Sequence, residues 1–352
     1  MSDSPRVGFC CKFQTDDKVL VKTMNQASTT LTALRKMDRK QAYDKISGLV
    51  VHNIDTLMRQ LKWISEQPRE MRLFRIGSDF LPAFTTDDFS WIYADADLKK
   101  VVEDGLSAVR PFADQHGIRL CTHPGQFTIL CSQKPTVVDN AIVDLNYHAY
   151  MAESMGYGAD WHTSGFAINI HANNNLDPGL VQLKNVISTR LSSTLRNLLT
   201  IENDEFGCSI DEMISAQLYE HVAFVLDIHH HWVESGGEYI LPTDPRIDRF
   251  KESWRGNRPL SHFSTSSEEL LEGSCSVARP DFIALSEAGH KPGKLRAHSY
   301  GCWNEGSNEW ALSHLVWTDI EVEAKGKQIA SRQLYDQARR AGLVSDPDTM
   351  AS

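Results

Sequence analysis

Short apolar runs alternate along most of the chain with stretches of helical character. This alternation is typical of parallel β-strands that are joined by helices. Eight runs predict strands: Arg6–Cys11, Arg72–Gly77, Ile118–His123, Phe166–His171, Leu198–Asn203, Ala223–Ile228, Pro259–Phe263 and Trp317–Glu323. Eight such strands with helices between them close naturally into a barrel, so the pattern predicts an α/β fold of the (β/α)8 TIM barrel class.

The segments between the runs have the spacing of helices. Apolar residues recur every three or four positions at Ile46, Val50, Ile54, Leu57, Leu61 and Ile64, and again at Val102, Leu106, Val109 and Ala113. Such spacing places one apolar stripe of each helix against the sheet. Two segments rich in Gly, Pro and charged residues, 234–258 and 268–294, predict enlarged loops or additional helices late in the barrel.

The length of 352 residues exceeds the roughly 250 of a typical barrel, and insertions can absorb the surplus. No internal repeat, low-complexity tract or interdomain linker divides the chain. We therefore predict a single domain over residues 5–340, followed by a polar tail, 341–352, that frays.

The composition limits the classes of protein that the chain can be. A net charge of −10 argues against a protein that coats nucleic acid through a positive field. If several carboxylates bind divalent cations, however, the site itself can still be positive where a phosphate approaches. No run reaches the roughly 18 apolar residues of a membrane span, and the start MSDSPR is not a signal peptide, so we expect a cytoplasmic protein.

The seven cysteines are scattered and form no CxxC motif. This arrangement favours reduced thiols in the core. Cys10 and Cys11 are adjacent, and redox activity of this pair is the less favoured alternative.

Metal-binding side chains stand at the carboxyl ends of six consecutive predicted strands, where barrel enzymes build their sites. They are His123, His171, Glu202, Asp227 followed by His229, His230 and His231, then His262 and Glu323. A lone strand-end histidine is more often structural, and the three consecutive histidines alone are compatible with a solvated turn. Taken together, this many carboxylates at the end of a barrel with little water would repel each other unless cations neutralised them.

The ligand types narrow the choice of metal. Imidazole and carboxylate ligands without clustered thiolates suit Zn²⁺, Mn²⁺ or Fe²⁺ better than Ca²⁺ or an iron–sulfur cluster. The ligands exceed what one ion needs, which favours two or three ions that share a bridging carboxylate, and Glu202, central in the strand order, is the choice for the bridge. Such a cluster generates hydroxide from water and clamps a phosphate, so the sequence predicts hydrolytic chemistry.

Eight segments, taken in order, resemble one known family. They are NIDTLMRQLKWI, LFRIGSDFLP, CTHPGQF, INIHANNN, LTIENDE, FVLDIHHH, RPLSHFS and VEAKGK. Together they resemble the UV damage endonuclease family, whose relatives are the endonuclease IV and xylose-isomerase-like barrels. The resemblance implies a nuclease that uses a manganese-type cluster to cut damaged double-stranded DNA immediately 5′ of the lesion and leaves a 3′-hydroxyl. No obligate protein partner is expected.

The resemblance also implies a set of site residues. The implied metal ligands are His123, His171, Glu202, Asp227, His230, His262, His298 and Glu323. Among them, Glu202, Asp227 and Glu323 are the predicted catalytic carboxylates, and Mn²⁺ is the expected metal, with Zn²⁺ and Fe²⁺ as alternatives.

Residues of the HPGQF motif are implied to contact the lesion. Gln126 and Phe127 match the family's wedge, which opens the duplex at a damaged step, where unstacking costs less. For Phe127 the alternative is an ordinary apolar residue that covers the barrel mouth. Phe9 matches a family tyrosine near the lesion and is the third predicted DNA contact.

Three positions depart from the family's pattern. Phe9 stands at the tyrosine position, Phe13 lies near the position of an asparagine, and Leu260 occupies the place of a lysine that can be carboxylated and help the metal site. The sequence therefore predicts an intact metal cage with altered lesion contacts.

Three basic residues near the predicted mouth have two interpretations each. Arg75 either contacts a phosphate or forms an ion pair inside the barrel with Asp79 or another carboxylate. Lys325 and Lys327 either line a groove for the DNA backbone or belong to a solvated helix start.

Two other functions compete with the nuclease. One is a xylose-isomerase-like enzyme that acts on a small sugar or polyol and needs neither wedge nor groove. The other is a non-catalytic binder of damaged DNA that keeps the cluster for structure. Loss or retention of function after removal of the wedge separates these hypotheses, as does the presence or absence of nicking.

Overall fold

The structure is a computed structural model that describes residues 4–173, 179–268 and 276–344. Its strands form one closed barrel, in which each strand pairs in parallel with the strands before and after it in the chain. The strands are β1 Val7–Cys10, β2 Leu73–Ile76, β3 Arg119–Thr122, β4 Ala167–His171, β5 Leu199–Glu202, β6 Ala223–Asp227, β7 Leu260–Phe263 and β8 Asp319–Val322. Each strand lies within one of the eight predicted runs, and the predicted TIM barrel is confirmed.

Helices surround the barrel. They are α1 Lys18–Met24, α2 Leu31–Leu34, α3 Arg39–Ser65, α4 Ser90–Tyr93, α5 Ala96–Ser107, α6 Val109–His116, α7 Pro135–Met155, α8 Gly179–Arg190, α9 Ser193–Leu198, α10 Ile210–Ser215, α11 Ile228–Glu234, α12 Pro245–Ser253, α13 Phe282–Glu287, α14 Pro292–Leu295, α15 Glu305–Ser313 and α16 Gln328–Arg340. Single 3-10 turns lie at Arg69–Met71, Asp87–Phe89, Thr163–Gly165, Leu218–Glu220 and His314–Val316.

Helix α3 forms where the apolar spacing predicts it. A capping box starts it, in which the side chain of Asp38 accepts from the backbone of Gln41 and the side chain of Gln41 accepts from the backbone of Asp38. Its apolar stripe, from Ile46 to Ile64, packs in the core.

The second predicted stripe is divided between two helices. Val102 and Leu106 lie on α5, and Val109 and Ala113 lie on α6. Proline at position 111 has no N–H to donate to the carbonyl of Ser107, which interrupts the helical ladder at this point. All four stripe residues are nevertheless buried, so the apolar pattern still identifies the face that packs on the barrel.

The core has two layers. A large apolar cluster fills the space between the strands and the helices. A small cluster fills the barrel interior and consists of Leu73, Cys121, Ala167, Ala223, Val225, Trp254 and Leu260. Leu260 therefore points into the barrel, two residues before His262 on the same strand.

Phe9 and Phe13 belong to the outer core. Phe9 is 1% exposed and packs edge to face on Phe13, with ring centroids 5.2 Å apart. Phe13 in turn packs on Trp63 of α3 at 4.9 Å. In this structure the ring of Phe9 cannot touch DNA, so its predicted role as a lesion contact is corrected to core packing. The reason is that its side chain leaves β1 on the helix side of the sheet.

The amino-terminal end of the barrel is closed by ion pairs around Asp319. Its Oδ1 accepts from the backbone of Arg6 at 2.9 Å and from Arg258 Nε at 2.7 Å, and its Oδ2 accepts from Arg119 Nη1 at 2.9 Å. Burial raises the pKa of Asp319, but Arg119, Arg6 and Arg258 outweigh it and lower that pKa below its usual value. These contacts join the first, third and eighth strands, so they hold the amino-terminal end of the barrel together, opposite the carboxyl ends of the strands.

The late segments follow the sequence expectation. Helix α12 lies in segment 234–258. Helix α13 lies in segment 268–294, of which residues 269–275 are outside the described part, and α14 begins in this segment and ends one residue beyond it. The first residues of the predicted tail are packed, because Leu343 N donates to Ala338 O at 2.9 Å and Val344 is buried. Residues 345–352 also lie outside the described part.

The cysteines are mostly core residues, as expected. Cys10, Cys121, Cys131, Cys208 and Cys302 are buried, and Cys11 is half-buried. Within the described residues none of them forms a disulfide; Cys275 is not among those residues. Over the same described ranges, every helix falls short of the length and apolarity that crossing a membrane requires.

Candidate metal centre

An open cavity of about 890 Å³ lies at the carboxyl ends of the strands. The predicted ligands His123, His171, Glu202, His230, His298 and Glu323 line it. Asp227 and His262 lie just beneath its surface, and both are buried. The barrel thus brings all eight predicted ligands to one mouth, because parallel strands end on the same side of the sheet.

Glu202 is the centre of this arrangement. Its Oε1 lies 3.1 Å from His123 Nε2 and 2.9 Å from His171 Nδ1, and its Oε2 lies 2.5 Å from His262 Nδ1. Asn169 Nδ2 also donates to Oε2 at 2.8 Å. Burial raises the pKa of Glu202, yet the surrounding histidines outweigh burial and hold that pKa well below its usual value. The carboxylate is therefore ionised and offers an oxygen to each side of the mouth.

Two groups of ligand atoms meet at Glu202. One consists of His123, His171 and Glu202, and the other of Glu202, Asp227 and His262; within each group the ligand atoms lie within 4.8 Å of one another. His171 Nδ1 and His262 Nδ1 are buried and make no hydrogen bond, although each faces a carboxylate oxygen. Ring nitrogens and carboxylates that face each other without hydrogen bonds fit a shared cation, so the residues present are suited to a divalent metal.

The run of three histidines sends one ring into the cavity. Asp227 Oδ1 accepts from His230 N at 2.7 Å and so caps α11, on whose first turn the run lies. Successive helical residues are rotated by about 100°, and only His230 lines the cavity. His229 stacks on Trp232, and His231 Nε2 lies 3.1 Å from Glu238 Oε2. All three rings are buried, so the solvated-turn interpretation is wrong.

His230 and His298 lie at the side of the cavity. His230 Nε2 is 3.4 Å from Glu205 Oε2, and His298 Nδ1 is 3.0 Å from the backbone oxygen of Glu323. Neither joins the compact ligand groups found among the described residues, so their role as metal ligands stays a prediction.

Arg75 forms an internal ion pair, one of its two predicted roles. Its Nη2 lies 2.5 Å from Glu323 Oε1 and 2.5 Å from Glu321 Oε1, so its partners are carboxylates other than Asp79. Arg75 is 8% exposed but still lines the cavity. Burial raises the pKa of Glu323, but Arg75 and His262 together outweigh burial and lower that pKa well below its usual value.

Sequence reasoning missed three acidic residues of the site. Asp204 Oδ2 lies 3.4 Å from His171 Nδ1, Glu205 lies beside His230, and Glu321 lies with His262 and Glu323 in a third compact ligand group. For Glu321 the signal was present, because it stands two residues before Glu323 and so points to the same face of β8. Asp204 and Glu205 follow β5 in a loop, where no periodicity indicates direction.

The residues predicted to meet DNA surround the opening, apart from Phe9. Gln126 and Phe127 line the cavity, and Phe127 is 80% exposed. Lys325 and Lys327 also line it, in agreement with the groove interpretation, and so does Arg296. An acidic centre is therefore bordered by an exposed aromatic ring and by basic side chains.

The pKa values of two predicted ligands indicate how metal affinity would depend on pH. Burial lowers the pKa of His262, but Glu202 and Glu323 raise it to about 9, and Asp227 and Glu205 likewise raise the pKa of His230 to about 10 against burial. Both rings are protonated at pH 7 without metal, and a metal must displace those protons. We expect Mn²⁺ affinity to increase between pH 6 and 8, by about tenfold per unit for each proton released.

Titration calorimetry in two buffers of different ionisation enthalpy measures the protons released. The variant His262→Gln is expected to release about one proton fewer than the wild type. An affinity that does not change between pH 6 and 8 would contradict the assignment of these rings.

The chain matches a family model described as UV-endonuclease UvdE over residues 5–346. The UV DNA damage endonuclease of Bacillus cereus (strain B4264) is 25% identical over 318 residues, which cover 88% of this chain and 87% of that protein. The UV DNA damage endonuclease of Bacillus anthracis (strain A0248) is 26% identical over 241 residues, or 67% of this chain and 71% of that protein.

Two solved structures share the fold. The crystal structure of SacUVDE superimposes with a TM-score of 0.72 at 21% sequence identity and covers 97% of this chain and 100% of that chain. Endonuclease IV from Thermus thermophilus superimposes with a TM-score of 0.52 at 13% identity, over 96% of this chain and 100% of that chain. At these identities the similarity describes the barrel and not the chemistry.

Proposed function

The chain belongs to the UV-endonuclease UvdE family, and we propose that it is a metal-dependent DNA repair endonuclease. Family membership, which confirms the resemblance in the sequence, supports the general activity of a DNA repair nuclease. The finer proposal is that it hydrolyses the backbone of damaged duplex DNA 5′ of the damaged nucleotide and leaves a 3′-hydroxyl. One observation carries the metal dependence: three histidines converge on the ionised carboxylate of Glu202.

The proposed metal ligands are the eight predicted residues. They are His123, His171, Glu202, Asp227, His230, His262, His298 and Glu323. We propose Mn²⁺ as the ion, since nitrogen and carboxylate ligands suit it, with Zn²⁺ or Fe²⁺ able to use the same donors. When bound, such ions would supply positive charge to a phosphodiester and raise the nucleophilicity of water at neutral pH.

The protein's own groups position the substrate. Arg296, Lys325 and Lys327 face the opening and offer charge to backbone phosphates next to an acidic centre. Glu202 joins the two sides of the centre and, with Asp227 and Glu323, forms the proposed catalytic carboxylate set.

An exposed ring beside this centre supports a damaged duplex as substrate. Phe127 is 80% exposed, next to Gln126, on the loop that follows β3. An aromatic ring can fill the space that a damaged dinucleotide leaves when it unstacks, and such a step costs less to open than an intact one. Leu260 lies in the barrel interior and has no side-chain nitrogen that can be carboxylated. The proposed centre therefore lacks the lysine that the family commonly has at this position.

The proposal is tested with end-labelled duplexes that carry a pyrimidine dimer, an abasic site or no lesion. We expect Mn²⁺-dependent nicking 5′ of the lesion and little cutting of the intact duplex. A non-catalytic binder would shift the damaged duplex on a gel and never nick it, and an isomerase would do neither. No cleavage of any duplex, with metal shown to be bound, would reject the proposal.

Removal of the wedge should separate lesion cutting from metal binding. For the double variant Gln126→Ala with Phe127→Ala we expect a roughly 10- to 100-fold loss of cutting at the dimer, because stacking contributes about 1–3 kcal/mol per base. Metal content should not change, since neither side chain offers a ligand. Val316→Ala is the matched control, because Val316 is exposed but precedes β8 at the other end of the barrel. Unchanged lesion cutting in the double variant would remove Phe127 from the proposed DNA surface.

A further inference from the structure

Beneath the mouth, three side chains converge on one nitrogen atom of Arg75. Its Nη2 lies 2.5 Å from Glu321 Oε1, 2.5 Å from Glu323 Oε1 and 3.1 Å from His262 Nε2. Glu321, Glu323 and His262 also form a compact ligand group in which a metal ion could be held. Because Nη2 contacts a side-chain atom of each member of that group, the guanidinium and a metal ion would compete for the same position.

The contacts at Nη2 are those of a cation between two carboxylates. Its NH₂ group donates to Glu323 Oε1, and it lies 3.1 Å from His262 Nε2, where the donor and acceptor roles depend on the protonation of the ring. Oε1 of Glu321 is buried and has no hydrogen bond, so its 2.5 Å contact with Arg75 is one of charge. Its Oε2 accepts from the thiol of Cys121 at 3.0 Å. Glu321 thus faces a cation as a metal ligand would, but the cation belongs to a side chain.

We propose that Arg75 is the resident cation of this group, which we call the floor group, and that it keeps a metal ion out of it. Metal ions would then bind at the mouth around Glu202 and not at the floor group, and Glu321 would serve Arg75 and not a metal. This inference rests on the proposed function for the presence of metal at Glu202.

The charges of the floor group explain why it holds a cation permanently. Glu321 is 0% exposed, and a buried carboxylate pair without a counter-charge would be strongly unfavourable. A guanidinium stays charged over the whole physiological range and is attached to the chain, so it neutralises the pair whether or not metal is supplied. Arg75 is also a positioning residue, because its contact with Glu323 holds that ligand at the edge of the mouth.

Counting bound Mn²⁺ tests the proposal without reference to nuclease activity. Wild type and variants are loaded with Mn²⁺ and desalted, and the number of Mn²⁺ ions per chain is measured by elemental mass spectrometry. Arg75→Ala should gain one Mn²⁺ per chain, since it frees the floor group, whereas Arg75→Lys keeps the charge and should keep the wild-type count. Glu321→Gln alone should also keep the wild-type count, and Glu321→Gln in the Arg75→Ala background should abolish the gain.

The outcomes distinguish this proposal from the proposed function. A lower count in Glu321→Gln would make Glu321 a metal ligand and overturn the inference, even if Arg75→Ala fails to fold. An unchanged count in folded Arg75→Ala would also overturn it. If the wild type binds no Mn²⁺ but Arg75→Ala binds one, the floor-group proposal stands while the metal part of the proposed function is rejected.

Discussion

Replacement of Glu202 by glutamine is expected to reduce cleavage of damaged DNA by at least about 100-fold. Glu202 belongs to both ligand groups at the mouth, so one substitution affects both at once. The amide keeps the shape of the side chain but lacks the negative charge that His123, His171 and His262 surround. The measurement is the single-turnover nicking rate on a dimer-containing duplex, together with the Mn²⁺ count of the same preparation.

The design separates a loss of metal from a loss of fold. Circular dichroism should be unchanged, because Asn169 and three histidines still surround the amide. Glu103→Gln is the matched control, since Glu103 is exposed on α5 in the helix layer. Wild-type nicking with a full Mn²⁺ count in Glu202→Gln would mean that Glu202 is not the bridge.

Replacement of Asp319 by asparagine is expected to lower the free energy of unfolding by about 3–5 kcal/mol. Asp319 is 0% exposed and accepts from Arg6, Arg119 and Arg258. Asparagine leaves the buried charges of Arg6 and Arg119 without their counter-charge, and an uncompensated buried charge is among the most costly defects in a core. Urea denaturation of the metal-free protein measures the effect.

The control for Asp319 is a surface pair of the same chemistry. Asp336 pairs with Arg332 on α16, where both side chains are partly exposed, and Asp336→Asn should change the free energy of unfolding by less than about 1 kcal/mol. Nicking by folded Asp319→Asn should stay near the wild-type rate, because Asp319 lies at the amino-terminal end of the barrel. Equal effects of the two substitutions would show that the ion pairs around Asp319 contribute no more to the free energy of unfolding than a surface ion pair does.

Many residues of the site can be predicted from the sequence because strand direction determines where each strand ends. In parallel strands every carboxyl end lies at the same mouth, so the residue that ends a run can be assigned to the site without knowledge of packing. This rule found His123, His171, Glu202, Asp227, His262 and Glu323. His298 lies in a loop after β7 and was reached only through the family resemblance.

Side-chain direction in other segments needed the fold. Strand direction did not indicate which of the three consecutive histidines faces the cavity, since that depends on how α11 is rotated against β7, and His230 was singled out only through the family resemblance. Phe9 stands where the family has a lesion contact, yet its ring packs on Phe13 and Phe74. A phenyl ring lacks the polar group that would favour the wet mouth, so burial in the outer core is the more stable arrangement.

The barrel, its mouth and most of the predicted ligands follow from the sequence alone, because strand period and strand direction are local properties of the chain. The pairing of the charges inside the barrel depends on the tertiary fold. Asp319 and Arg6 are 313 residues apart in the chain, and Arg75 meets Glu323 only after β8 closes on β1. Periodicity shows that a charged side chain points inward, but its partner depends on which distant strand the closed barrel brings within reach.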